Sequence, residues 1–134
     1  MKIAISSMGT DLDAQIDPRF GRCAYFIIVN TNDMSFEVID NESIASGGGA
    51  GIESARLVAS KGARVTVSGN VGPNAVRALS AAGIEIYLAN TGIIREVIEK
   101  YNRGYLDLVQ LPNVPERRGS VGRTVNSRGM GMGR

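Results

Sequence analysis

The chain has 134 residues, of which 43% are apolar and 21% charged, a composition typical of one soluble globular domain rather than of a disordered chain. Its single cysteine excludes an internal disulfide and any zinc or iron–sulfur site built from this chain's thiolates alone, and the lack of histidine removes the usual general base. The sequence shows neither a long apolar run nor a signal peptide, so we expect a cytoplasmic protein that does not enter a membrane.

The net charge of +2 is unevenly distributed along the chain. Residues 112–134 carry +4, from five arginines and Glu116, whereas residues 1–111 carry −2. The last segment also holds five glycines and two prolines and has no hydrophobic period, so it cannot bury enough apolar surface to offset the entropy lost on ordering. The sequence therefore predicts a folded domain over residues 1–111 and a disordered tail over 112–134, whose deletion should leave the melting temperature nearly unchanged.

The first part of the domain has the pattern of three strands. Residues 2–7 form a short apolar strand, and a polar loop follows over residues 8–22. Residues 24–29 are continuously apolar, and five of the six are β-branched or aromatic, which indicates a strand buried on both faces. The polar residues 30–33 predict a turn, after which residues 35–40 alternate as the second arm of a hairpin.

The second part alternates helices with strands, and glycines mark the boundaries. Three helices are predicted, each ended by a glycine: from the glycine-rich stretch 47–51 to Gly62, from Pro73 to Gly83, and from Thr91, a candidate N-cap, to Gly104. Strands are predicted over residues 64–68 and 84–88. With right-handed crossovers, this order predicts an α/β fold: a mixed five-stranded sheet of order 3-2-1-4-5, with an antiparallel hairpin and helices on both faces.

Three longer segments and one short one follow each other along these elements: Asp17–Phe26 (DPRFGRCAYF), Gly49–Ile52 (GAGI), Gly69–Ala75 (GNVGPNA) and Leu79–Tyr87 (LSAAGIEIY). Together they resemble the dinitrogenase iron–molybdenum cofactor biosynthesis family, which includes NifX, NafY and the C-terminal region of NifB. The likeness runs from about residue 1 to residue 108. It implies a ribonuclease-H-like three-layer α/β/α sandwich, and a small stand-alone protein that binds or carries an iron–sulfur or iron–molybdenum cluster, or its precursor, without catalysis.

The chain departs from the family pattern where members carry histidine, at Arg19 and near residues 47–49. Cluster ligation through histidine therefore does not transfer. What the resemblance implies instead is a pocket of backbone amides and arginines that suits an anionic cluster or another anion, formed by Arg19, Phe20, Gly21 and Arg22.

The predicted topology places this pocket at one edge of the sheet. Ligands of α/β sheets bind outside the carboxyl ends of the strands, where the polar loop should meet the helix starts. Helix amino ends and positive charge would favour an anion there. We expect Phe20 to fold back onto the sheet, and the concave rim to be formed by Ser6, Arg19, Arg22, Gly49 and Asn70.

Two interpretations remain open for Cys23 and for the arginines. Cys23 is either a thiolate metal ligand, in an open coordination or bridging two copies of the protein, or a small buried hydrophobe at a strand start. Arg19 and Arg22 either bind the anion or pair with acids of their own loop, namely Asp11, Asp13 and Asp17.

The leading hypothesis is a non-enzymatic protein that binds or carries a metal cluster in metallocofactor assembly. The alternative is a regulatory or interaction module for a phosphate or nucleotide-type anion. An enzyme is least supported, since the sequence offers no histidine, no nucleophile–base pair and no carboxylate on the first strand. We expect cofactor-assembly proteins as partners, a monomer or weak homodimer, and no nucleic acid.

Overall fold

The predicted strands and helices are all present, and two further short elements join them. The computed structural model describes residues 1–109, so the predicted tail over 112–134 lies outside the described residues. The elements are, in chain order, β1 (Lys2–Ser7), β2 (Tyr25–Asn30), β3 (Phe36–Asp40), α1 (Glu42–Ala45), α2 (Ala50–Ser60), β4 (Ala63–Ser68), α3 (Pro73–Ala81), β5 (Glu85–Leu88), α4 (Ile94–Asn102) and β6 (Asp107–Leu108).

The strands form one mixed sheet of order β3-β2-β1-β4-β5-β6. Strand β1 pairs antiparallel with β2 and parallel with β4, and β4 pairs parallel with β5. This confirms the predicted order of five strands and the predicted hairpin. The sheet has six strands rather than five, because β6 adds antiparallel to β5 with Asp107 opposite Leu88. A two-residue strand shows no alternation in the sequence, so only its pairing reveals it.

The predicted helices need one addition and one correction. Helix α1, of four residues, was not predicted at all. Helix α4 has Ile93 rather than Thr91 at its N-cap position, and no side chain among the described residues caps it. The polar loop that follows β1 instead accepts hydrogen bonds from the first amides of α4: Ile94 N donates to Ala14 O at 2.9 Å and Arg95 N to Leu12 O at 2.8 Å. A cap supplied from another part of the chain cannot be read from local sequence.

Two apolar clusters lie on opposite faces of the sheet and make it the middle layer of three. On one face α2 and α3 cover Ala4, Phe26 and Ile28 of the first two strands. On the other face α4 and the polar loop cover Ile3 and Ile5. The fold is thus the expected ribonuclease-H-like α/β/α sandwich. None of the helices within residues 1–109 is long and apolar enough to cross a membrane.

Candidate functional site

The polar loop between β1 and β2 covers residues 8–24 in the structure, and we call it the first loop. It lies across the carboxyl edge of the sheet. Backbone hydrogen bonds attach it to each parallel strand or its following turn: Asp17 N donates to Ser6 O at 2.9 Å, Phe20 N to Asn70 O at 3.1 Å and Ile16 N to Gly92 O at 2.9 Å. The loop is therefore fixed where β1, β4 and β5 end, which is the edge that the sequence predicted for ligands.

Ser6 supports this loop from beneath. It is fully buried, and its Oγ donates to the carbonyl oxygen of Asp17 at 2.6 Å and lies 2.8 Å from Ser68 Oγ. A hydroxyl held in this way does not reach solvent. The structure thus places Ser6 under the predicted rim rather than on its surface.

Asp17 and Arg19 form an ion pair within the first loop. Asp17 is almost fully buried and accepts hydrogen bonds from Arg19 Nε at 3.0 Å, Nη2 at 2.9 Å and the backbone N at 3.0 Å, while 63% of the Arg19 side chain stays exposed. Burial alone raises the pKa of Asp17, but the hydrogen bonds from Arg19 outweigh it, so the pKa lies below its ordinary value. Hydrogen bonding to Asp17 likewise raises the pKa of Arg19. Arg19 is therefore paired with an acid of its own loop and still presents its outer surface to solvent.

Phe20 anchors the middle of the loop, as predicted. Its side chain is 6% exposed, and its ring meets that of Phe26 edge to face, with centroids 5.3 Å apart. The residue thus ties the arginine-bearing segment to the core of the sheet rather than to a ligand.

Glycines bring the loop against the starts of two helices. An ideal Cβ on Gly21 would lie 3.0 Å from Gly51 Cα, and one on Gly51 would lie 3.1 Å from Ala75 Cβ. Residues 19–22, the turn and helix start 47–52, and the segment 70–75 therefore touch one another. We call these three segments the amide rim.

The rim is open at three of its glycines. A side chain on Gly48, Gly49 or Gly72 would meet nothing within 4 Å. Within residues 1–109 no acceptor bonds the amides of Ala50, Gly51 and Ile52 at the start of α2, which carries no side-chain cap. Uncapped helix starts carry a partial positive charge, so the rim suits a negatively charged group.

Arg22 reaches from the loop to the turn that precedes α2. Its Nη1 donates to Ala45 O and, at 3.1 Å, to Gly47 O. In the part of the chain that the structure describes, no carboxylate lies within ion-pair distance of Arg22. The interpretation in which both arginines pair with loop acids therefore holds for Arg19 alone. Arg22 therefore brings to the rim a positive charge that is not in an ion pair with any described residue.

The surroundings of Cys23 favour the structural interpretation. The residue is fully buried, and burial, followed by the charge of Asp17, raises the pKa of the thiol to about 12. The predicted neighbours Arg19 and Arg22 do not make it a reactive thiolate, because Arg19 is occupied by Asp17 and Arg22 points to backbone carbonyls. Residues 1–109 also contain no group of three or more His, Cys, Asp or Glu side chains arranged to hold a metal ion.

Asn41 is a buried polar residue beneath the rim that sequence reasoning missed. It is fully buried, and its Nδ2 donates to Gly21 O and Cys23 O, both at 3.1 Å. An asparagine after an alternating strand predicts only a turn, and nothing in the sequence indicates a bond to a loop twenty residues earlier.

A shallow open depression of about 500 Å³ adjoins the rim beside α1. It is lined by Asp40, Glu42, Ser43 and Ser46. Its two carboxylates disfavour an anion, so the anion-accepting character belongs to the amide rim.

The fold and the rim together define a small ribonuclease-H-like α/β protein with a basic, amide-rich edge. The chain belongs to the dinitrogenase iron–molybdenum cofactor family, whose sequence model matches residues 1–104. An uncharacterized protein of Methanocaldococcus jannaschii is 32% identical over 111 residues, which is 80% of this chain and 94% of that protein.

Two solved structures extend the likeness to three dimensions. The apo form of the orange protein from Desulfovibrio gigas is 37% identical with a TM-score of 0.79, over 84% of this chain and 96% of that one. A NifB-like protein from Thermotoga is 35% identical with a TM-score of 0.71, over 88% of this chain and 98% of that one. The family and fold implied by the sequence segments are thus confirmed.

Proposed function

We propose that this protein binds an anionic iron–sulfur or iron–molybdenum cluster, or its precursor, at the amide rim and carries it during metallocofactor assembly without catalysing a reaction. The observation that carries the proposal is the close approach of the Gly21 backbone to Gly51, which brings the Arg22 segment to the uncapped start of α2, while Gly51 itself approaches Ala75 at the uncapped start of α3. Membership of a family named for the iron–molybdenum cofactor supports the choice of cargo.

The donors at the rim suit electrostatic holding rather than covalent ligation. Backbone N–H groups and guanidinium groups bind sulfide or oxygen atoms of an anion through charge-assisted hydrogen bonds. Cys23, the one thiol of the chain, is buried and protonated at neutral pH. A cargo held by amides and arginines can be loaded and released without breaking a metal–thiolate bond, which suits a carrier.

Anaerobic purification with metal analysis is the first test, and titration of the metal-free protein is the second. Sulfate, phosphate, molybdate and a synthetic anionic iron–sulfur cluster are added while backbone amide resonances are followed by NMR. We expect a brown cluster-loaded protein, and shifts at residues 48–52 and at Gly72, Asn74 and Ala75. Shifts confined to the opposite edge, around Gly62 and Gly83, would overturn the proposal.

Paired arginine variants separate a local site from general attraction. Arg19→Ala with Arg22→Ala should weaken binding at least tenfold. Arg64→Ala with Arg103→Ala makes the same change in charge at the other end of the strands and should alter binding less than twofold, with circular dichroism showing both variants folded. Equal losses in the two variants would indicate attraction by net charge alone. Binding of phosphate in preference to molybdate and the cluster would favour a phosphate-binding module instead.

A further inference from the structure

The carboxamide of Asn41 connects three parts of the chain that meet beneath the amide rim. Its Nδ2 spans Gly21 O and Cys23 O at 3.1 Å each, and lies 3.8 Å from Cys23 Sγ. Its Oδ1 accepts from Ser54 Oγ of α2 at 3.4 Å. The backbone N of Asn41 donates to Ala24 O at 2.9 Å, which holds the end of the first loop in place.

The two carbonyls bound by Asn41 flank Arg22. Fixing the oxygens of residues 21 and 23 fixes the backbone arch between them, from which the Arg22 side chain extends to Gly47 O. The same arch presses Gly21 against Gly51. A primary amide offers two donor hydrogens on one nitrogen, which a carboxylate or an alkyl group of similar size cannot supply.

We propose that Asn41 is a positioning residue for anion binding: its buried carboxamide holds the Gly21–Cys23 arch and so sets Arg22 and the start of α2 at the spacing the anion requires. The inference rests on the proposed function and extends it to a residue that is fully buried and cannot touch the ligand. A residue with only a structural role would lower stability when changed but leave the affinity of the folded protein intact.

The test compares Asn41→Asp with Thr66→Val. Asn41→Asp keeps the side-chain shape but replaces both donor hydrogens by an acceptor that faces two carbonyls. Thr66 is also fully buried, and its Oγ1 donates to Ala4 O at 2.9 Å between two central strands, so Thr66→Val removes a buried hydrogen bond away from the rim. Molybdate affinity is measured by calorimetry at a temperature where each variant is folded, and the Arg22 Nε–Hε resonance is recorded by NMR.

We expect Asn41→Asp to weaken molybdate binding at least fivefold and to shift the Arg22 resonance, whereas Thr66→Val changes affinity less than twofold and leaves that resonance in place. Parental affinity in Asn41→Asp would overturn the proposal whether or not the Arg22 resonance moves, as would an equal loss in Thr66→Val. If Asn41→Asp does not fold, Ser54→Ala replaces it. That variant removes only the bond to Asn41 Oδ1 and should weaken binding two- to threefold, so unchanged affinity would overturn the proposal.

The measurements distinguish failure of the proposed function from failure of the inference about Asn41. A parent protein that binds neither molybdate nor a synthetic cluster would refute the proposed function. It would also refute anion positioning by Asn41, even if Asn41→Asp still moved the Arg22 resonance and speeded amide hydrogen exchange at residues 21–23. A parent that binds molybdate while Asn41→Asp binds equally well refutes the inference alone.

Discussion

The ring of Phe20 meets the ring of Phe26 edge to face, with centroids 5.3 Å apart and planes inclined by 60°. One residue belongs to the first loop, and the other is a fully buried residue of strand β2. The contact therefore fixes the arginine-bearing part of the first loop to the core, and the stability of the fold and the shape of the rim depend on the same side chain.

Phe20→Ala should lower the free energy of unfolding by about 3–5 kcal/mol, because it removes a buried aromatic ring and leaves a cavity against Phe26. Urea denaturation followed by circular dichroism measures the change. Tyr105, whose side chain is 69% exposed, is the matched control, and Tyr105→Ala should cost less than about 0.5 kcal/mol. A loss below about 1 kcal/mol for Phe20→Ala would mean that the ring does not pack in the core.

Asp17→Asn should lower stability at pH 7 by about 1–3 kcal/mol, since it removes a buried charged acceptor from Arg19. The pKa of Asp17 is depressed in the folded protein, so its contribution is present above the unfolded pKa of about 4 and is lost as the pH falls through the lower folded pKa. The variant should therefore lose less stability than the parent between pH 5 and pH 2.

Urea midpoints at several pH values test this dependence on Asp17. Asp11→Asn is the control, because Asp11 is an exposed loop carboxylate that, within residues 1–109, accepts only from the Asp13 amide at 2.9 Å. It should keep the parental acid profile. An acid profile of Asp17→Asn identical to that of the parent would contradict the ion pair.

Cys23 should be inert in the native protein. With a pKa of about 12 against an ordinary 9.0, it forms about a thousandfold less thiolate than a free thiol at neutral pH, and its sulfur is also shielded from solvent. A disulfide exchange reagent should label Cys23 quickly in denaturant. In the native protein the labelling should be at least a hundredfold slower. Cys23→Ala should retain molybdate affinity. Loss of binding in that folded variant would restore the thiolate-ligand interpretation.

Gly21→Ala should be more damaging than Gly83→Ala. Both glycines have positive φ, +92° and +75°, so each substitution carries a backbone cost of about 1–2 kcal/mol. Only at Gly21 does the new Cβ also press on backbone atoms, those of Gly51, which adds about 1–3 kcal/mol of overpacking. Denaturation of the two variants gives the difference directly. Equal losses would show that the loop and α2 do not touch.

Hydrophobic periodicity and turn chemistry were sufficient to predict most of the fold. The buried run of β2 and the glycines after α2, α3 and α4 act within a few residues, so the local sequence predicts them. The antiparallel hairpin and the parallel crossovers then follow from general rules of handedness, which is why five strands were ordered correctly. Strand β6 escaped prediction because two residues have no period.

The meeting of the three rim segments was predicted from the sequence, but their individual contacts were not. The carboxyl edge of the sheet follows from topology, and the approach of the first loop to the helix starts follows from that edge. Three details of the site could not be predicted: which arginine pairs with an acid, which serine is buried and which glycine contacts α2. They depend on how closely segments that are far apart in the chain approach one another in space.

Sequence alone therefore determined the order of elements, the family and the position of the rim, because these depend on patterns that repeat locally. Only the tertiary structure decided that Arg22 binds backbone carbonyls, that Cys23 is buried, and that Asn41 bonds to the first loop. The partners in these contacts are about 18 to 25 residues apart in the chain, and hydrogen bonds and burial depend on separation in space.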